Sequence, residues 1–247
     1  MNRSLPFVLL LLLSLFAAAG ERVVVIDAGH GGSKPSGTQE DRTLSSDNNA
    51  TSPGGLKEKD LTLELAQKII AAVNASPEAQ KAGLRAIPTR TTDVNPDFAQ
   101  RAKTAVDAGA AWFLSIHFNA VSGAKKTSGT LGIVQNKGKN PHYAADVAFA
   151  SALSAAANGA IRQWLPKSKN LSTGNDSHLH GGQGSNLFYQ LRAQSKVPLT
   201  ACFLEVEFMD NPAVEKAILT KNRAAAFDAI AAAVAQSLIA QAQAAQQ

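Results

Sequence analysis

The chain has 247 residues, of which 45% are hydrophobic and 17% charged, with a formal net charge of +5. That balance excludes a disordered chain, a collagen and a coiled coil, and the length suits one large domain or two small ones. The single cysteine, Cys202, excludes an internal disulfide and a cysteine zinc cluster, so the fold must hold by packing. The basic excess suits an anionic polymer as partner or is plain surface charge, and no nucleic-acid partner is expected.

Residues 1–20 read MNRSLPFVLLLLLSLFAAAG. Arg3 gives a positive start, an apolar run follows, and Ala17, Ala18, Ala19 and Gly20 close it with small residues. This is the layout of a secretory signal peptide cut near Ala19 or Gly20. An uncleaved anchor is the alternative, but a spanning helix needs about 20 apolar residues and this run is shorter. The expected location is outside the cytoplasm, with the periplasm as the expected compartment. The mature domain is expected over 21–247.

Val23–Asp27 is a β-branched run meeting Gly29, Gly31 and Gly32, which predicts a buried strand ending in a turn. Residues 33–55, rich in Ser, Thr, Asn, Asp, Pro and Gly, predict a long mobile loop. Leu61, Leu65, Ile69 and Val73 recur at helical spacing and predict a helix over Asp60–Asn74. Ser76–Gly83 reads as a polar link, Leu84–Thr89 as a strand and Asn95–Ala108 as a helix. Ala111–His117 and Gly129–Val134 read as strands, and Tyr143–Trp164 as a long Ala-rich helix. Residues 166–186 form a second polar loop. Leu199–Phe208 reads as another buried strand, and Pro212–Leu219 and Arg223–Ala245 as helices. This alternation predicts an α/β domain with a mostly parallel sheet and its site beyond the carboxyl ends of strands.

His30 and His117 each follow a buried strand, where a neutral imidazole can ligate zinc or act as a base. A catalytic zinc takes about three protein ligands, often two His and a carboxylate. Glu58 stands before the Asp60 helix. Asp60 suits a capping role before Leu61, which leaves Glu58 to face a metal. Glu40 and Asp41 are weaker rivals. Glu205 and Glu207 interrupt an apolar strand, and alternation puts both on one face. One of them can serve as a general base beside the metal, its pKa raised by burial. The set predicts metal-assisted hydrolysis.

Four blocks in order resemble the zinc-dependent N-acetylmuramoyl-L-alanine amidases of bacterial cell walls, the amidase 3 family. Val25-Ile26-Asp27-Ala28-Gly29-His30-Gly31-Gly32 is similar to the family's opening strand and first zinc histidine. Leu56-Lys57-Glu58-Lys59-Asp60-Leu61 is similar to the block whose glutamate is a ligand. Phe113-Leu114-Ser115-Ile116-His117-Phe118-Asn119-Ala120 resembles the block with the second histidine. Glu205-Val206-Glu207-Phe208-Met209-Asp210-Asn211-Pro212 resembles the closing block, in which the residue three before the phenylalanine is catalytic. Pro88-Thr89-Arg90 and Arg101-Ala102 match minor landmarks.

The resemblance implies Zn2+ held by His30, Glu58 and His117, with Glu205 rather than Glu207 catalytic. It implies a single-domain α/β sandwich with a six-stranded, mostly parallel sheet flanked by helices. The implied reaction is hydrolysis of the amide between N-acetylmuramic acid and L-alanine of peptidoglycan. The expected enzyme is a monomer, with a protein activator as a further expectation. Asn119 is read either as a support for His117 or as a turn residue. His178 and His180 are read as solvated, with a groove-edge role as the alternative.

Two other classes stand beside this reading. His30-Gly31-Gly32 is similar to an esterase oxyanion loop, but the sequence has no G-x-S-x-G elbow. A peptidoglycan-binding protein without catalysis is the other, and the presence of all four site residues weighs against it. A zinc peptidase acting on other peptides is a further alternative.

Overall fold

A computed structural model describes residues 21–121 and 126–246. The expected signal peptide over 1–20 lies outside these residues. The strands β1 (Arg22–Ala28), β2 (Leu84–Pro88), β3 (Trp112–Asn119), β4 (Leu131–Val134), β5 (Gly174–Asn175) and β6 (Thr200–Phe208) form one sheet in the order β2-β1-β3-β6-β4-β5. β1, β2, β3 and β6 run parallel. β4 is antiparallel to β6, and β5 is parallel to β4. The mostly parallel, six-stranded sandwich is the expected one.

The strands are apolar on both faces because both faces are covered. Val24, Ile26, Leu114, Ile116, Cys202, Leu204 and Val206 point into the larger core. That core is closed by α1 (Glu58–Asn74), α4 (Tyr143–Ile161) and α7 (Arg223–Ala244). Val23, Val25, Phe113, Ala201 and Phe203 point to the opposite face, under α3 (Phe98–Asp107) and α5 (Asn186–Gln194). α4 and α7 are long and apolar enough to cross a membrane by length and composition, yet each buries a face in this core. On the second face, alternation puts Asp27 after Val25, Ser115 and His117 after Phe113, and Glu205 after Phe203. The polar end of that face is where the site forms.

Several local expectations change. The predicted polar link holds a short helix, α2 (Pro77–Lys81), capped by Ser76. The predicted loop 166–186 contains β5 and a 3-10 turn, Asp176–Gly182. The short helix α6 (Pro212–Val214) continues as a π-helical stretch, Glu215–Thr220.

The loop 33–55 is docked rather than free. Ser36 and Ser45 exchange backbone hydrogen bonds at 2.9 and 2.8 Å. Gln190 Nε2 donates to the Asp41 carbonyl at 2.9 Å and Arg42 Nε to Asn186 Oδ1 at 2.9 Å. The Arg42 guanidinium also lies 4.1 Å from the Tyr189 ring centroid. These contacts fasten the loop to α5 and make it a wall of the site.

Candidate metal centre

His30 follows β1 in the left-handed region, at φ 61°. Two buried guanidiniums hold this turn by its carbonyls. Arg90 donates to the carbonyls of Ala28 at 2.9 Å and Gly29 at 3.0 Å. Arg101 donates to those of Ala28 at 2.8 Å and His30 at 2.9 Å. The landmarks Arg90 and Arg101 therefore shape the ligand turn. Gly29 is required for close approach, since a Cβ there would lie 2.4 Å from the His117 ring.

Glu58 opens α1, with Lys57 as the N-cap residue. Asp60 is thus inside the helix and does not cap it, contrary to the sequence reading. The Glu58 carboxylate is 2% exposed by residue area and accepts the backbone N–H of Ala50 at 3.0 Å and Phe118 at 3.2 Å. Burial alone would raise its pKa, but His30 and His117 beside it hold it well below the usual carboxylate range.

The histidines, Glu58 and the space between them converge. Glu58 Oε1 lies 3.2 Å from His30 Nε2 and 3.1 Å from His117 Nδ1. The three potential donor atoms all fall within 4.8 Å of one another. The outer nitrogens fix which inner nitrogens carry lone pairs. His30 Nδ1 lies 3.2 Å from the Ser46 carbonyl, which can only accept, so that nitrogen carries the hydrogen. Ser46 Oγ lies 3.0 Å from the same atom.

His117 Nε2 lies 3.1 Å from Ser115 Oγ, which gives its own hydrogen to Asp27 Oδ2 at 2.5 Å. Asp27 stays ionised: burial opposes this, but Arg101, Ser115 and Thr89 outweigh it and lower its pKa. Nε2 therefore donates. In the neutral rings, two nitrogen lone pairs face one carboxylate oxygen. His30 Nε2 is buried without a hydrogen-bond partner even at that short separation. Three potential electron-pair donors converging on one point fit a divalent cation. The two separations from Glu58 Oε1 fit too, since tetrahedral bonds of about 2.0–2.1 Å set donors about 3.3 Å apart.

Glu205 pairs in register with His117 across β3 and β6 and lines the same cavity. Its Oε2 is buried without a hydrogen-bond partner. Burial, opposed by His117 and assisted by the Glu58 charge, pushes its pKa up to about 7. That suits a group that takes and returns protons near neutrality.

Glu207 does not share this position. The register shifts after His117–Glu205, so that Asn119 meets Phe208 and β6 carries an extra residue. The Glu207 carboxylate accepts from Ser128 Oγ at 3.0 Å, from the backbone of Gly129 at 2.8 Å and Phe208 at 3.0 Å, and from Ser168 Oγ. The same-face expectation fails because the bulge breaks the alternation.

The cavity has a volume of about 510 Å3. Leu44, Phe98, Leu131, Ile133, Leu179 and Phe203 supply apolar walls, and Gln39, Asn49 and Asn119 supply polar ones. His178 lines it as well, which places that residue at the groove edge. The His180 side chain lies outside the described part of the structure. Glu40 and Asp41 are exposed and outside the cluster. Asn119 lines the cavity, but the side chain touching His117 is Ser115. Alternation could have revealed it, because Ser115, His117 and Asn119 share one strand face.

A family model described as N-acetylmuramoyl-L-alanine amidase matches residues 24–238. Among solved structures, N-acetylmuramoyl-L-alanine amidase AmiC2 of Nostoc punctiforme is similar at a TM-score of 0.63 and 24% identity, over 91% of this chain and 99% of that one. An N-acetylmuramoyl-L-alanine amidase from Clostridium difficile 630 is similar at 0.60 and 21%, over 90% and 97%. The CwlD amidase from Clostridioides difficile, solved in complex with the GerS lipoprotein, is similar at 0.61 and 17%, over 92% and 100%. A search of curated proteins gives no match.

Proposed function

The chain belongs to the N-acetylmuramoyl-L-alanine amidase family, and we propose that it is an exported zinc enzyme that hydrolyses the amide between N-acetylmuramic acid and L-alanine of peptidoglycan. The observation that carries this reading is the convergence of His30 Nε2, Glu58 Oε1 and His117 Nδ1 in the cavity that Glu205 lines, with Glu205 Oε2 left without a hydrogen-bond partner. His30, Glu58 and His117 would hold Zn2+. When bound, zinc supplies a Lewis acid that polarises the amide carbonyl and lowers the pKa of water to about 7.

The protein residues divide the remaining work. Glu205 accepts the proton of the attacking water and passes it to the departing amine of L-alanine. Phe203 packs edge-on against His117, with ring centroids 5.3 Å apart, and shields that flank of the ring from water. The docked loop 33–55 and the Asp176–Gly182 turn bound the cavity in which the substrate amide is placed.

The working form is residues 21–247 after removal of 1–20, acting in the periplasm as a monomer on muramyl peptides. The complex between CwlD and the GerS lipoprotein supports a protein partner here as well, and we propose that it acts as an activator. Purified protein lacking residues 1–20, incubated with peptidoglycan, should release stem peptides with a free L-alanine amine, detected by mass spectrometry. Chelator should abolish release and zinc restore it. Chelator-resistant release, or fragments cut elsewhere in the stem, would overturn the assignment.

A further inference from the structure

We propose that the buried Asp27–Arg101 ion pair is a positioning device for both metal-facing histidines. This deepens the zinc reading and rests on it. Both side chains are 1% exposed, with Asp27 Oδ1 2.6 Å from Arg101 Nη1. One arm leaves from Asp27. Its second oxygen takes the Ser115 hydroxyl hydrogen at 2.5 Å, so Ser115 Oγ presents only lone pairs to His117 Nε2, at 3.1 Å. The hydrogen of the neutral ring is thereby held on Nε2, and Nδ1 faces Glu58. The other arm leaves from Arg101, whose Nη2 donates to the His30 carbonyl at 2.9 Å. That bond anchors the left-handed turn that presents His30.

Arg101 has no donor left for a substrate. Nε donates to the Pro96 carbonyl, Nη1 to Asp27 and Ala28, and Nη2 to His30 and Asn95. Although it borders the cavity, its work is internal. Stability alone does not require such a pair, because apolar residues of similar volume often replace a buried ion pair without loss. Apolar residues cannot fix an imidazole tautomer or hold a carbonyl. Those two tasks are what the pair contributes.

The test measures zinc affinity of chelator-stripped protein by competition with a chromophoric chelator, for wild type, Ser115→Ala and the double variant Asp27→Leu with Arg101→Met. Imidazole 15N shifts are read with and without zinc. Zinc binding should weaken ten- to hundredfold in both variants, with melting of the metal-free Ser115→Ala protein shifted by only a few degrees. His117 Nε2 should carry a hydrogen in wild type in both states. Affinities within twofold of wild type, or a bare Nε2, would overturn the proposal. Should the double variant not fold, Ser115→Ala and the 15N shifts decide. A wild type with hydrogen on Nε2 that takes up no zinc would support the Asp27–Ser115 arm and refute the zinc reading.

Discussion

His117 turns Nδ1, the ring nitrogen that Ser115 leaves without a hydrogen, to within 3.1 Å of Glu58 Oε1, an oxygen that has none either. Such a contact is favourable only when a proton or a metal cation lies between the two atoms. Glu58→Gln removes the charge and turns one carboxylate acceptor into a donor, which then faces the backbone N–H of Ala50 or Phe118. The variant should bind zinc at least a hundredfold more weakly, and its metal-free form should melt a few degrees lower than wild type. Chelator competition and calorimetry on stripped protein check the pair of results. A Gln variant that keeps zinc would remove Glu58 from the ligand set.

Glu205 gives a pH signature. Its carboxyl titrates near 7 in the fold against an ordinary value of 4.5. Between those values the folded metal-free protein binds more protons than the unfolded chain, so stability falls as pH rises through this window. Above about pH 7 the cost is fully present, up to about 3 kcal/mol. Glu205→Gln removes it. Stripped variant should melt higher than stripped wild type at pH 8 and match it at pH 4.5. Turnover should drop by about a hundred- to ten-thousandfold with zinc retained. Equal melting differences at both pH values would show that folding leaves the Glu205 pKa at its ordinary value.

Gly29→Ala tests the approach of two ligand segments. The added methyl would meet the His117 ring at 2.4 Å, so the ring must move. Gly29 lacks a positive φ, so backbone strain is not the cause. Zinc affinity should fall at least tenfold with the circular dichroism spectrum unchanged. Undiminished affinity would mean that the ring has room to shift.

Arg42→Ala tests the wall. It removes the bonds to Asn186 and to the Gln183 carbonyl, and the stacking on Tyr189. Amides of residues 36–46 should exchange hydrogen faster, and KM should rise with kcat little changed. Unaltered exchange would show that other contacts hold the loop.

The sheet and the place of the two clustered histidines were legible because continuous β-branched runs mark strands covered on both faces, and the histidines stand where those runs stop. Glu58 was legible from its place before an amphipathic helix. The family resemblance selected Glu205, whereas alternation wrongly paired it with Glu207, because one extra residue in β6 cannot be seen in a residue pattern. Asp60 looked like a cap because helix starts are blurred by a turn. Leu187, Phe188 and Leu191 of α5 are buried, but nine residues beside a polar loop give little periodicity. The docking of loop 33–55 depends on Arg42 and Gln190, partners more than a hundred residues apart, and local composition carries no trace of that.

β6 is the last strand in the chain and lies inside the sheet, between β3 and β4. Until Thr200–Phe208 is in place, two partial sheets have nothing to join them, and the pairings that must form are among the most distant in sequence. Such long-range closure is slow. A nascent chain therefore carries His30, Glu58 and His117 well before it has Glu205 or a finished cavity, and under the proposed function activity waits for β6 to close the sheet.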